Sequence, residues 1–289
     1  MYIEMNGVEV AKAMKEELIK RVDALKEKGT NPHLAIVRVG ARPEDISYER
    51  GAVKRMELTG IGCTVYEFPE DISQGIFEEE FQKINNNPAI HGILLFRPLP
   101  EHLKEEPIKE MIHPMKDVDC MSSVNFAKVF CGDETGHAPC TAEAVMEMLG
   151  CYNVDLQGKK VTIVGRSMVV GKPLAMLLLQ KNATVTIAHS RTRNLSETCH
   201  QAEVLVAAVG RARMITADMV GENAVVADVG INVDEEGKLC GDVDYEQVKE
   251  KASYISPVPR GVGSVTTSVL AKHVIKSAEY FSSLNLEVI

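Results

Sequence analysis

The residues with the most obvious chemical potential lie between Val161 and Ser190. Val161 to Val164 is a β-branched run that stops at Gly165-Arg166-Ser167, and a helical pattern starts near Val170. Asn182-Ala183 then leads into a second apolar run, Thr184 to Ala188. Strand, glycine turn, helix and strand, in that order, make one βαβ unit. Such a turn leaves backbone N–H groups free at a helix N-terminus, where a pyrophosphate can bind. Gly165 and Gly171 are expected to let the backbone approach that ligand closely. The spacing is not G-x-G-x-x-G, so the pattern alone leaves two readings open: a nucleotide site, or a buried turn in an α/β domain.

The flanking chain supplies the elements that must hold such a site. Val8 to Lys28 has apolar residues at helical spacing and ends at Gly29. Leu34–Val39 reads as a strand and Pro43 opens a helix to about Thr59, stopped by Gly60. Cys63–Phe68 is a strand, Ile76–Ile84 a helix and Gly92–Phe96 a third strand. Strands alternating with helices imply a parallel sheet covered on both faces. Ile108 to Cys140 is less periodic; it holds a helix from Ser122 to Phe130, and Thr141 is expected to cap a helix from Ala142 to Leu149. Strands Val204–Ala208 and Ala224–Val229 each run into a glycine, Gly210 and Gly230. Strands ending in glycine loops on one edge form a crevice at their carboxyl ends. Pro257 to Gly263 is a further glycine-proline loop before a helix from about Val265 to Phe281.

Composition excludes several classes. The 289 residues suffice for two domains, and 45% hydrophobic with 25% charged residues is ordinary for a globular protein. A net charge of −9 argues against nucleic-acid binding, which needs clustered Lys and Arg. No apolar run approaches the ~20 residues of a membrane span, and Met1 to Val10 lacks the regions of a signal peptide. Cysteines 63, 120, 131, 140, 151, 199 and 240 form no C-x-x-C pair, which argues against a zinc site or disulfide framework and for a reducing compartment. The chain reads as cytoplasmic, without a metal and without a membrane or nucleic-acid partner.

Together these motifs resemble the bifunctional methylenetetrahydrofolate dehydrogenase/methenyltetrahydrofolate cyclohydrolase family over nearly the whole chain. The family's V-G-R-S-x-x-V-G-x-P stands as Val164 to Pro173, and its N-A-T-V-T-x-x-H-S as Asn182 to Ser190, followed by Arg191-Thr192. Ala208-Val209-Gly210, Asp228 to Asn232, Gly241-Asp242-Val243, Lys116-Asp117-Val118-Asp119 and Gly261-Val262-Gly263 match further. The resemblance implies a two-domain α/β protein. An N-terminal folate-side domain (1–140) is joined by a C-terminal helix (264–289). A Rossmann-like dinucleotide domain (141–263) follows it, with the active-site cleft between them, and the family is homodimeric. It implies NADP, or NAD, at Gly165, Arg166, Ser167, Ser190, Arg191, Ala208, Val209, Gly210 and Ile231. Arg166 and Arg191 make a chemical case for NADP, because a guanidinium matches a 2′-phosphate in charge and geometry. A tetrahydrofolate derivative is the implied substrate, with Tyr48 stacking on the pterin, Asp119 hydrogen-bonding it, and Pro259, Gly261 and Val262 lining its site. Asp119 also admits a plain helix-capping role, Tyr48 a core role, and Arg191 a solvated surface role.

The departures from the family fall on the residues of the hydrolytic step. The family's Tyr-x-x-x-Lys carries the cyclohydrolase lysine, but the residue four after Tyr48 is Ala52. Lys54 is a poor substitute, since six residues on from Tyr48 it lies roughly 120° round a helix, against roughly 40° for position 52. The family's V-Q-L-P-L-P reads Leu95-Phe96-Arg97-Pro98-Leu99-Pro100, so Phe96 replaces the lysine's glutamine partner. A family glycine has become Cys120, and P-G-G-V-G-P-M-T reads Pro259 to Thr266 with Arg260 second. Tyr48 and Asp119 persist as catalytic-site candidates, so the first expectation is an NADP-dependent dehydrogenase with weak or absent cyclohydrolase activity. The alternatives are a fully bifunctional enzyme, a non-catalytic folate- and dinucleotide-binding sensor or assembly subunit, and a dehydrogenase for another substrate. Groups that could rescue hydrolysis are His91, Arg97 and Arg260.

Overall fold

A computed structural model describes residues 1–286; residues 287–289, which the expected C-terminal helix includes, lie outside the described residues. In chain order the strands are β1 (Ile3–Glu4), β2 (His33–Val39), β3 (Gly62–Phe68), β4 (Gly92–Leu95), β5 (Lys160–Val164), β6 (Thr184–Ala188), β7 (Val204–Ala207), β8 (Val225–Asp228), β9 (Asn232–Val233), β10 (Leu239–Cys240) and β11 (Tyr254–Ile255). The helices are α1 (Gly7–Glu27), α2 (Pro43–Thr59), α3 (Gln74–Asn86), α4 (Glu105–Met111), α5 (Ser123–Cys131), α6 (Cys140–Cys151), α7 (Gly171–Gln180), α8 (Leu195–His200), α9 (Tyr245–Val248) and α10 (Thr266–Leu286).

The chain is α/β and divides into two compact units: residues 13–140 with the segment from Thr267, and residues 1–12 with 141–266. In the first, β3-β2-β4 form a parallel sheet. Its central strand is buried from Leu34 to Val39, as a parallel strand covered on both faces must be. Phe77 and Phe81 of α3 pack with Val37, Ile93 and Leu95 in its core. The second unit holds a sheet in the order β1-β11-β8-β7-β5-β6, with every pairing parallel. Because β5 lies between β6 and β7, the chain runs from β5 to one neighbour and then crosses to the other. The crevice beyond the carboxyl ends at such a reversal is where α/β sheets bind ligands.

The domain boundaries differ from the expected 1–140 with 264–289 and 141–263 mainly at the N-terminus, the C-terminal segment starting only three residues later, at Thr267. Residues 1–12 belong with the six-stranded sheet, because Ile3 and Glu4 pair with Tyr254 and Ile255. A two-residue strand has no periodicity to read. Thr141 is not a helix cap either: α6 already begins at Cys140, and Asp119 Oδ1 accepts the Cys140 N–H at 2.9 Å. Ser122 does cap α5, its Oγ accepting the Asn125 N–H.

Candidate active site

In the six-stranded unit, the expected dinucleotide residues all follow strand carboxyl ends. Gly165, Arg166 and Ser167 follow β5, Ser190 and Arg191 follow β6, Ala208 to Gly210 follow β7, and Ile231 follows β8. Arg166, Ser167, Ser190, Arg191, Gly210 and Ile231 are exposed, while Ala208 and Val209 are half-buried. The Ser190–Arg191 turn closes on itself. The His189 N–H donates to Thr192 Oγ1 at 2.8 Å and the Arg191 N–H to His189 Nδ1 at 3.1 Å. Ser167 Oγ accepts the Val170 N–H at 3.1 Å, holding the turn that starts α7.

The glycines divide into two kinds, and two of them carry a packing requirement. A Cβ on Gly165 would lie 2.2 Å from the Ala208 carbonyl oxygen, and one on Gly171 would lie 2.1 Å from that of Gly165. Both glycines are therefore needed for the β5 turn to pack against the β7 loop and α7. Gly210 behaves differently: at φ +65° the space beside its Cα is open, so nothing crowds a ligand on that side. Open crevice, helix start and exposed arginines fit a dinucleotide.

Beneath these loops lies a carboxylate that sequence reasoning matched by motif but gave no task. Asp242 is fully buried. Its Oδ2 accepts the N–H groups of Val209 at 2.6 Å and Gly210 at 3.0 Å. Its Oδ1 accepts the Arg211 N–H at 2.8 Å and Asn232 Nδ2 at 2.9 Å. Asp228, at the end of β8, accepts the N–H groups of Gly230, Asp242 and Val243. Burial pushes its carboxyl up to about 7 despite those donors. Only the G-D-V match pointed here.

The loop after β11 carries Pro259 and Arg260, both exposed, and buried Gly261 and Val262. The Gly7 N–H donates to the Arg260 carbonyl at 2.8 Å, and a Cβ on Gly7 would strike the Gly261 carbonyl oxygen at 2.0 Å. Arg260 keeps a left-handed φ of +77°, and Cys120 one of +52°. Both stand where the family has glycine, and such a conformation costs a side-chain-bearing residue roughly 1–2 kcal/mol.

In the other unit, Tyr48 and Ala52 lie on α2, whose buried residues are Asp45, Ala52, Met56 and Thr59. That spacing is one helical face; Lys54 is exposed on another. The helix is tied to the end of β2 by buried Arg38, whose Nε donates to Glu49 Oε2 at 2.9 Å and whose guanidinium also meets Glu67 and the Gly40 carbonyl. Phe96, just past β4, packs its ring edge-on to Tyr48, centroids 6.0 Å apart at 87°. At these two positions apolar side chains, Ala52 and Phe96, replace the family's two polar groups.

Of the two carboxylates in Lys116 to Asp119, one is structural. Asp117 is buried and accepts the N–H groups of Met121 and Ser122, the Ser122 hydroxyl and the Asn125 amide. Lys116 donates to the Asn85 and Asn87 carbonyls at the end of α3, and burial brings its amine down to about 8. Asp119 is partly buried. Burial raises its carboxyl above the usual range, opposed by the Cys140 N–H and by the charge of Arg97. Asp119 thus serves the start of α6 through the Cys140 N–H. Arg97 is half-buried. His91 is at the opposite end of β4 from Phe96, roughly 16 Å away at ~3.3 Å per residue, with burial holding its imidazole down at about 4. It is removed from the hydrolytic candidates.

Comparison with known proteins decides the family. Residues 5–119 match the family model described as tetrahydrofolate dehydrogenase/cyclohydrolase, catalytic domain, and residues 139–282 the corresponding NAD(P)-binding domain. The chain belongs to this family. It is 58% identical over 275 residues to the bifunctional protein FolD of Clostridioides difficile (strain 630), covering 95% of this chain and 96% of that one. The bifunctional FolD methylenetetrahydrofolate dehydrogenase/cyclohydrolase of Campylobacter jejuni superposes with a TM-score of 0.94 at 39% identity, covering 97% and 99% of the two chains. The Trypanosoma brucei dehydrogenase-cyclohydrolase, solved with NADP cofactor and an inhibitor, gives 0.91 at 33% identity, covering 96% and 98%. As a member of the tetrahydrofolate dehydrogenase/cyclohydrolase family, the chain carries an NAD(P)-binding domain. Among the described residues no helix is long and apolar enough to cross a membrane.

Proposed function

We propose that this chain is an NADP-dependent methylenetetrahydrofolate dehydrogenase, converting 5,10-methylene- to 5,10-methenyltetrahydrofolate. The observation that carries it is the set of exposed residues at the carboxyl ends of β5 to β8, with open space at Gly210. The T. brucei relative, solved with NADP, supports the choice of cofactor. NADP, when bound, supplies the acceptor for the hydride leaving the folate methylene carbon. The chain's own task is alignment. Tyr48, held in place by the Phe96 ring, stacks on the pterin; Asp119 hydrogen-bonds it; Pro259, Gly261 and Val262 line the folate site. Ser190 and the backbone after β5 and β7 hold the dinucleotide, Ile231 adds apolar contact, and Arg166 and Arg191 meet the 2′-phosphate. The family resemblance supports a homodimer.

A second reading, fully bifunctional, is favoured by the names of the relatives. The C. difficile and C. jejuni proteins are both called bifunctional. The comparisons back this reading better than they back a loss of hydrolysis. What opposes it is local to this chain: Ala52 is buried without a titratable group, Lys54 is exposed on another face, and the Phe96 side chain cannot donate or accept a hydrogen bond. One assay tests both readings: purified protein with methylenetetrahydrofolate and NADP, read separately for NADPH formation and for methenyl decay. NADPH is expected. Binding of both ligands without any NADPH would overturn the dehydrogenase reading in favour of a non-catalytic sensor.

Arg191→Ala should raise the Kd for NADP roughly tenfold to a hundredfold, the worth of charge-assisted hydrogen bonds, and leave NAD within about threefold, since only NADP carries the phosphate. Calorimetric titration with each cofactor reads the difference. Equal losses for both would take Arg191 out of the site.

A further inference from the structure

We propose that Asp242 is the positioning residue of the dinucleotide site: it sets the loops after β7 and β8 in receptive shape without itself touching the cofactor. The inference rests on the reading of those loops as the cofactor site. Three successive backbone N–H groups, of Val209, Gly210 and Arg211, converge on this one carboxylate, and a fourth donor comes from Asn232, next to Ile231. Two loops that leave different strands are thus locked to a common anion. The side chain is fully enclosed, so it holds the loops from beneath and cannot reach a ligand in the crevice. Its own backbone is fixed as well: its N–H donates to Asp228 Oδ1 at 3.0 Å and its carbonyl accepts the Ile215 N–H at 2.9 Å.

The fit is tight enough to dictate neighbours. A Cβ on Gly230 would lie 2.3 Å from the Asp242 carboxyl, and one on Gly241 would lie 1.8 Å from Asp228 Oδ2. Both glycines make room for the two carboxylates. Successive N–H groups of a loop repel one another when aimed at one point, and an anion at that point is what makes the arrangement favourable. Aspartate is suited to this because it offers four lone-pair directions and no donor. An asparagine keeps the shape but turns an NH2 group toward two of the four donors. The loop must then open to escape that clash, and the opening falls on the residues that meet the dinucleotide.

The test uses the full-length protein with Asp242→Asn and, as a milder change on the same anion, Asn232→Ala. NADPH and NADH binding is followed by nucleotide fluorescence, and steady-state kinetics separate KM for each substrate from kcat. For Asp242→Asn, the Kd should rise about 100-fold for both dinucleotides alike, with KM for NADP rising in step. The KM for methylenetetrahydrofolate should stay within twofold and kcat at saturating NADP within about threefold. Asn232→Ala should show the same pattern at about tenfold. A merely structural role would lower the melting temperature of Asp242→Asn while leaving the Kd of the folded fraction unchanged, and that result overturns the proposal. Should Asp242→Asn fail to fold, an unchanged Kd in folded Asn232→Ala overturns it equally. If the unmodified chain binds no dinucleotide at all, the cofactor reading falls, and this inference with it. Normal binding by the unmodified chain and by both variants sinks only the role of Asp242.

Discussion

Ala52→Lys combined with Phe96→Gln should raise hydrolysis of methenyltetrahydrofolate by roughly 10²-fold or more over the unmodified chain, the usual scale of positioned proton transfer. The gain should exceed the product of the two single changes, a positive coupling in a double-mutant cycle. The geometry behind this is that of α2. Ala52 lies on the buried face of the helix, four residues after Tyr48. Helical side chains lean toward the N-terminus, so a lysine at 52 would extend over the Tyr48 ring. There it would meet the Phe96 ring, which stands edge-on to Tyr48. A charged amine against that ring lacks a polar partner, so lysine alone should gain little. Glutamine alone brings nothing that titrates. With both, the amine acquires a hydrogen-bond acceptor while partial burial lowers its pKa toward neutrality, which suits it for proton transfer. The experiment follows methenyl decay in the four proteins of the cycle. Rapid hydrolysis by the unmodified chain, abolished by Lys54→Ala, would sink the idea and show that Lys54 reaches the site despite its exposed face. Rapid hydrolysis insensitive to Lys54 would sink it too, and would favour the bifunctional reading through a group such as Arg97 or Arg260.

How much of this was legible in the sequence depends on the kind of signal each feature leaves. Long periodic segments were readable: Pro43 and Gly60 bound α2 as expected, because a proline at the first turn and a glycine at φ +76° are local backbone requirements. The β5–α7–β6 unit followed from a β-branched run and a glycine stop. Short pieces were not readable. β1 and β11 have two residues each, and they take residues 1–12 into the six-stranded unit through a pairing some 250 positions apart. The helix α4 was missed since Pro107 sits inside it, near its start, and reads as a breaker.

The site shows the same division. That Ala52 and Lys54 occupy different faces came from helical phase alone, and the structure agrees. Which carboxylate of Lys116 to Asp119 does what was not readable by spacing. Asp117 is spent on the start of α5 and Asp119 is turned toward Cys140, a difference set by tertiary contacts. The task of Asp242 was not readable for a like reason: three of its four donors are backbone N–H groups 31 to 33 residues away, which carry no sequence mark. The packing need at Gly165 and Gly171 was not readable, because a glycine needed for chain packing and one needed for ligand approach look the same in a sequence.

That last distinction sets up the largest expected effect on stability. Gly165→Ala should destabilise the dinucleotide-binding unit by about 3 kcal/mol or more and abolish measurable NADPH binding. Two costs combine. The backbone at Gly165 has φ +140°, where a Cβ-bearing residue is strained, and the added methyl would sit 2.2 Å from the Ala208 carbonyl oxygen. Neither atom can yield cheaply. Gly165 donates its N–H to the Ala188 carbonyl at 2.9 Å, and the Ala208 N–H is bonded to Val164 at 2.8 Å, so relief would pull β5 away from β6 or β7. Gly171→Ala should be comparably harmful, its Cβ meeting the Gly165 carbonyl at 2.1 Å. Gly210→Ala is the matched comparison. It too has a positive φ, at +65°, but open space around it, so the expected loss is only the left-handed penalty of roughly 1 kcal/mol. Its effect should fall mainly on cofactor affinity, because the new methyl meets no protein atom in the loop proposed to hold the dinucleotide. Thermal unfolding with and without NADP, beside NADPH titration, separates the cases. The ordering fails if Gly165→Ala melts within a degree or two of the unmodified chain, since nothing in the β5 turn leaves room for a harmless methyl group.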